Sequence, residues 1–325
     1  MKYRFLPQSN LKVSSLIYGC MNIGGPWSPN PPDRATVDNA LACVRTAVEG
    51  GINVFDHADI YGGGRSEEVF SAVWSELGLK RSDVIIQSKC GIRRPGEPNA
   101  ASPHRFDFSF DHIVSSVDGI LRRLKTDRLD ILLLHRPDPL ADPDEVARAF
   151  DHLRSNRMVH YFGVSNHNAA QIALLQRAVG VPLVANQLEF NLLHSDLIDE
   201  GVTVNDARQR ATYRADGTLD YCRLNGISVQ AYSPVAKGRL ALPKRDDDER
   251  IQSTRQAVEH LAHHMGVSGE AVLLAWILRH PAKILPVIGT TRPDRITASL
   301  DALKIEMTRE EWYSLYLAGR GRDLP

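Results

Sequence analysis

LDILLLH, residues 129–135, is a short and almost unbroken apolar run that ends on a histidine. Such a run reads as a β-strand buried on both faces. Two more have the same form: NVFDHAD at 53–59 and DVIIQSKC at 83–90. Each delivers a reactive side chain at or just past its C-terminal end: Asp56 with Tyr61 following, Lys89, and His135. Working outward, further strands are expected near 15–20, 160–165, 183–189, 227–232 and 284–288, with helical patterns between them. In 109–125, Ile113, Val117, Ile120, Leu121 and Leu124 share one stripe, and Asp118, Arg122 and Arg123 take the other side. Asp142, Pro143 and Asp144 open the next helix. Ser66, Glu67 and Glu68 start another, and Pro281 stops one that begins near 268.

Eight strands alternating with helices predict an α/β fold, the (β/α)8 TIM barrel, with right-handed crossovers. The C-terminal strand ends of such a barrel converge on one pocket, so the carboxylate, phenol, amine and imidazole are expected to meet. Residues 2–13 read as an N-terminal β-hairpin that plugs the bottom. The tail, 308–325, reads as an extra C-terminal helix folding over the barrel. No linker divides the chain, and 1–325 is expected to be a single domain. Three long loops, 21–34, 91–108 and 191–220, should wall a substrate pocket.

Lys and Arg together number 39, as do Asp and Glu, so the chain has no electrostatic footprint for nucleic acid or acidic membranes. The polar start, MKYRFLPQSN, is not a signal peptide, and no apolar run approaches the ~20 residues that cross a bilayer. Cys20, Cys43, Cys90 and Cys222 are scattered, which suits free thiols in the cytoplasm.

Carbonyl reduction puts negative charge on an oxygen, which needs a proton donor and stabilisation. A free tyrosine is a weak acid, with a pKa of ~10; an ammonium beside it favours the phenolate, and a carboxylate helps keep that ammonium charged. Asp56, Tyr61 and Lys89 suit these roles, and His135 can give a second hydrogen bond. Singly, each has an ordinary explanation as an ion pair or a packed histidine; all four at strand ends are harder to explain that way.

FDHADIYG, QSKCG and LLLHRPDP resemble the Asp…Tyr, Lys and His blocks of the aldo-keto reductase superfamily, and the likeness runs from about residue 3 to about 320. It implies NADPH or NADP+ as cofactor, without a Rossmann domain, and reduction of an aldehyde or ketone to an alcohol with Tyr61 as general acid. GVSN and VANQLE imply Ser165, Asn166 and Gln187 on the nicotinamide amide, and QAYSP implies Tyr232 stacked on the ring. Ser233, Pro234 and Gly238 should line the pyrophosphate path, with Lys237 or Arg239 pairing with it. PVIGTTRPDRITASL resembles the block that grips the 2′-phosphate, implying Gly289, Thr290, Thr291, Arg292 and Arg295. Three positions depart from the pattern: His57 stands where many relatives have Thr, Gly289 where many have Lys, and Ser299 where many have Asn. NADH is therefore kept as an alternative cofactor. Met21 and Trp27 are candidates to face substrate.

Gly62, Gly63 and Gly64 are expected to turn the chain after Tyr61 rather than cradle phosphate, since no G-K-[ST] follows. His112, His152, His160 and His167 lack metal-ligand spacing. The partner implied is a small carbonyl or alcohol, and the sequence does not define an oligomer. Two rival readings remain. A nicotinamide-binding regulatory subunit with little catalysis is opposed by the intact tetrad. A metal-dependent hydrolase would need paired histidines at strand ends.

Overall fold

The computed structural model describes residues 1–325 apart from 29, 208, 210, 211, 213, 242 and 243. A hairpin of β1 (Tyr3–Phe5) and β2 (Lys12–Ser14) comes first. It is followed by β3 (Ile17–Gly19), α1 (Arg34–Glu49), β4 (Val54–Asp56), α2 (Arg65–Glu76) and β5 (Ile85–Cys90). A short antiparallel pair, β6 (Ile92–Arg93) and β7 (Arg105–Phe106), precedes α3 (Phe110–Leu124). Next come β8 (Leu129–Leu134), α4 (Pro143–Ser155), β9 (Val159–Ser165), α5 (Ala169–Ala178) and β10 (Leu183–Glu189). The chain continues through α6 (Asp196–Val202), α7 (Thr218–Leu224), β11 (Ser228–Tyr232), α8 (Glu249–Met265) and α9 (Gly269–Leu278), and ends with β12 (Leu285–Ile288), α10 (Pro293–Leu300) and α11 (Arg309–Arg320). Strands β3, β4, β5, β8, β9, β10, β11 and β12 close into a barrel, each parallel to its neighbours. This is the (β/α)8 fold.

The strand period of two separates two cores. Ile17, Val54, Ile85, Ile131, Leu133, Leu285 and Val287 fill the interior, and Leu6 and Val13 of the hairpin segment close it from below. Phe55, Ile86, Leu132, Phe162 and Ile288 belong to the larger core beneath the helices. Ascending β4 and β5 by two residues turns the interior polar: Val54 is followed by Asp56, and Ile85 by Gln87 and then Lys89. The apolar layer is thus a floor, and the chemistry sits above it.

Helix boundaries follow their caps. Ser109 accepts from the His112 amide, Asp142 from the Asp144 amide with Pro143 in the first turn, and Thr308 forms a capping box with Glu311. The tail helix α11 packs on the flank of the ring. Trp312 stacks on Trp276 of α9 with centroids 5.2 Å apart, and Arg320 pairs with Asp199 of α6 at 2.7 Å.

Two loops carry more structure than their composition indicated: 91–108 holds β6 and β7, and 191–220 holds α6 and the start of α7. Positions 208, 210, 211 and 213 of that last stretch lie outside the described residues. Arg123 also differs from its expected solvent-facing place. It turns back to Glu67 of α2 at 2.7 Å, because that carboxylate is fully buried and needs a cation. Among the described residues, no single helix is long and apolar enough to cross a membrane.

Candidate active site

After Tyr61 the chain turns into α2 through Gly62, Gly63 and Gly64, whose φ of 59°, 70° and 96° lie in the left-handed region. A Cβ at Gly64 would stand 2.6 Å from Arg123 Cδ, so that position is restricted by space as well as by backbone. The Tyr61 amide donates to Ala58 O, and the Asp59 amide to Lys89 O, which ties the turn to β5.

Three of the four candidate side chains meet directly, and the fourth stands beside them. Lys89 Nζ lies 2.8 and 2.7 Å from the two Asp56 oxygens, 2.8 Å from His57 O and 3.1 Å from Tyr61 OH. The His135 ring stands edge-on to Tyr61, with centroids 6.0 Å apart and planes at 82°. Lys89 is completely buried. An ammonium has no acceptor, so the phenolic oxygen must accept from it. The Tyr61 proton is therefore free to point elsewhere.

The electrostatics sort the protonation states. Burial alone lowers the Lys89 pKa, but the Asp56 charge, Tyr61 and the hydrogen bonds outweigh it and leave it above the ordinary lysine value. Burial raises the Tyr61 pKa, and Lys89 opposes that rise without cancelling it. Burial, then the charges of Lys89 and Arg136, push His135 far below its usual range. At neutral pH the set is an ammonium, a protonated phenol and a neutral imidazole whose buried Nδ1 has no partner among the described residues.

Around this set, Gln87, Gln230 and the buried pairing of Glu67 were not anticipated from sequence, nor were the bonds that Gln187 makes. Gln87 Nε2 donates to Asp56 Oδ1 at 2.6 Å, and Gln187 Nε2 donates to the same oxygen at 3.0 Å. Gln230 bonds to both glutamines. The signal was present: a glutamine at an inward position of an otherwise apolar strand, in DVIIQSKC and ISVQAY. Glu67 is fully buried, held by Arg123 and by Ser88 Oγ at 2.8 Å. Burial and the Glu67 charge push nearby Asp59 up to about 7. His57 packs its ring on Phe70 at 4.6 Å, neither nitrogen has a partner among the described residues, and burial lowers its pKa to about 3. Its contribution at the site is its carbonyl oxygen.

Ser165, Asn166, Gln187 and Tyr232 are gathered beside the tetrad. Ser165 Oγ donates to Gln187 O at 2.8 Å. Asn166 takes φ of 62°, and its Nδ2 donates to Ser165 Oγ and to His135 O. Tyr232 OH donates to Asn166 Oδ1 at 3.0 Å. Beyond β11, Ser233 and Lys237 also take positive φ, followed by Gly238, and Pro234 is buried. Lys237 is exposed, whereas Arg239 is paired with Asp247 at 3.0 Å.

At the start of α10, Arg292 pairs with Asp294 at 2.6 Å and Arg295 approaches Glu270 at 3.5 Å. Thr290 accepts from Tyr18 OH through its carbonyl, and Thr291 O accepts from Asn39. A Cβ at Gly289 would meet no atom of the described residues within 4 Å. Ser299 is buried, with its hydroxyl donating to Arg295 O. Met21 and Trp27 are exposed on the first loop, which is tied to α2 through Ser66 Oγ on Met21 O and Arg65 on Pro26 O.

Residues 15–316 match the model of the aldo/keto reductase family. The chain belongs to that family. It is 34% identical over 320 residues to YcsN, an uncharacterized oxidoreductase of Bacillus subtilis, with 97% of each chain covered. It is 33% identical over 322 residues to a 6-dehydroglucose reductase of Agrobacterium fabrum, with 99% of each covered. The glycerol dehydrogenase of Gluconobacter oxydans superposes with a TM-score of 0.79 over 97% of this chain and 95% of its own, at 24% identity, a likeness that concerns the fold alone. As an aldo-keto reductase, the protein is an oxidoreductase of a family that uses nicotinamide cofactors.

Proposed function

We propose that this oxidoreductase is a cytoplasmic enzyme that uses NADPH to reduce an aldehyde or ketone to an alcohol, with Tyr61 as general acid. The observation that carries the reading is the Lys89–Tyr61 contact. The buried ammonium, fixed by Asp56, donates to the phenolic oxygen and leaves the phenol's own proton available.

The residues present fit a nicotinamide cofactor. The Gln187 amide oxygen has no partner among the described residues, beside the Ser165–Asn166 pair. The start of α10 offers Arg292 and Arg295, with open space at Gly289. Ser165, Asn166 and Gln187 would hold the carboxamide, Tyr232 the ring, Ser233 to Arg239 the pyrophosphate, and Thr290 to Arg295 the 2′-phosphate. When bound, NADPH supplies the hydride.

Tyr61 gives its proton to the substrate oxygen, and Lys89 stabilises the phenolate as that proton leaves. His135, neutral, can donate one ring N–H to the same oxygen. Asp56 keeps Lys89 charged in a dry site.

The 6-dehydroglucose reductase relative makes sugar carbonyls the first substrates to try. The test is a screen of small aldehydes, ketones and sugars that follows NADPH absorbance, repeated with NADH. Turnover with NADPH supports the reading. Tight NADPH binding with no carbonyl reduced would replace it with a regulatory nicotinamide-binding role.

A further inference from the structure

Three glutamines form a closed layer inside the barrel, directly on its apolar floor. Gln87, Gln187 and Gln230 are 0%, 2% and 1% exposed. Asp56 and Gln87 are register neighbours on β4 and β5, and Gln187 and Gln230 are register neighbours on β10 and β11. A buried amide is costly unless its donors and acceptors are used.

The direction of every bond in this layer follows from one fact: an ionised carboxylate only accepts. Gln87 and Gln187 must both turn their nitrogens to Asp56 Oδ1. Their second N–H groups meet on Gln230 Oε1, at 2.8 and 3.0 Å. Gln230 Nε2 then reaches Gln87 Oε1 at 2.8 Å. One amide oxygen of the layer remains without a partner among the described residues, that of Gln187. A flip of Gln187 would press its oxygen against the Asp56 carboxylate and leave Gln230 Oε1 one donor short.

We infer that Gln230 and Gln87 are positioning residues which lock the Gln187 amide so that it presents an acceptor, not a donor, to the carboxamide NH2 of a bound nicotinamide. The same layer joins the cofactor's amide to Asp56, and through Asp56 to Lys89 and Tyr61. This inference rests on the assignment of Gln187 to the nicotinamide amide.

The test is a set of equilibrium titrations of the full chain with NADP+ and with its acetylpyridine analogue, in which the carboxamide NH2 is replaced by a methyl group. Wild type should prefer NADP+ about tenfold, which is about 1.4 kcal/mol. Gln230→Met should bring that preference to within about twofold, as should Gln187→Met. The double variant should show no loss beyond either single one, because Gln230 acts through Gln187. A layer that merely fills space would lower thermal stability and leave the preference intact. Gln87→Met is the second variant should Gln230→Met not fold, with the same expectation. A preserved preference in both Gln230→Met and Gln87→Met, with Gln187→Met losing it, overturns the positioning role alone. A preserved preference in Gln187→Met removes the cofactor assignment of Gln187 and this inference with it.

Discussion

Replacing Asp56 by asparagine removes a single charge, and its effect can be worked out from the geometry. Lys89 is completely buried, and its other contacts, His57 O and Tyr61 OH, are neutral. Without the carboxylate, burial dominates and the Lys89 pKa falls below its unfolded value. Breaking one side of a buried pair costs about 3–5 kcal/mol, and the new side-chain amide would also turn a donor toward Lys89, Gln87 or Gln187. The pH dependence separates this cause from general damage. In the wild type the Lys89 pKa is raised, so its stabilisation is fully present below the ordinary lysine value of ~10.4 and is lost only as pH rises through the folded value. Between pH 6 and 9 that contribution is flat. In Asp56→Asn the pKa is depressed, so the unfolded chain binds the extra proton and stability rises with pH. Urea unfolding of both proteins at pH 6 and pH 9 checks this. The deficit should be several kcal/mol at pH 6 and clearly smaller at pH 9. A deficit under about 1 kcal/mol at both, or one that does not change with pH, would mean that Asp56 does not hold the Lys89 charge.

Asp59 should give a dependence of opposite sense. Its folded pKa of about 7 lies above the ordinary carboxylate value, so its contribution to stability is full below that ordinary value and is lost as pH rises through 7. Relative to wild type, Asp59→Asn should therefore gain stability at pH 8 compared with pH 5, on the order of 1–2 kcal/mol, measured by thermal unfolding at both pH values. Arg295→Ala should raise the KM for NADPH on the order of tenfold and leave that for NADH within about twofold, because only NADPH carries the 2′-phosphate; an equal effect on both cofactors would remove Arg295 from that contact. His57→Leu should leave stability unchanged or raise it by about 1 kcal/mol, since it removes two buried nitrogens without a partner among the described residues; urea unfolding measures it.

The barrel was legible because buried parallel strands are short, apolar and regularly interrupted. Each expected strand lies within a few residues of the observed one, and the glycine turn after Tyr61 followed from its composition. The gathering of Asp56, Tyr61, Lys89 and His135 was legible because strand ends on one face converge. The layer beneath it was not. Gln87 and Gln230 stand alone in apolar runs, and a lone glutamine does not reveal which distant strand supplies its partner. Gln187 was singled out by resemblance, but its bonds to Asp56 and Gln230 depend on barrel closure between β10, β11 and the first strands. Arg123 was misread for the same reason, because the carboxylate that draws it inward belongs to another helix. The paired state of Arg292, bound by Asp294 two positions on, was also beyond a reading of residue types.

The proposed chemistry depends most on the Tyr61 proton. Single-turnover reduction of a carbonyl by NADPH-loaded Tyr61→Phe, beside wild type at pH 7, tests it directly. Cofactor binding should be retained and the rate of the chemical step should fall roughly 10²–10⁴-fold. A rate within a few-fold of wild type would mean that the proton comes from another group.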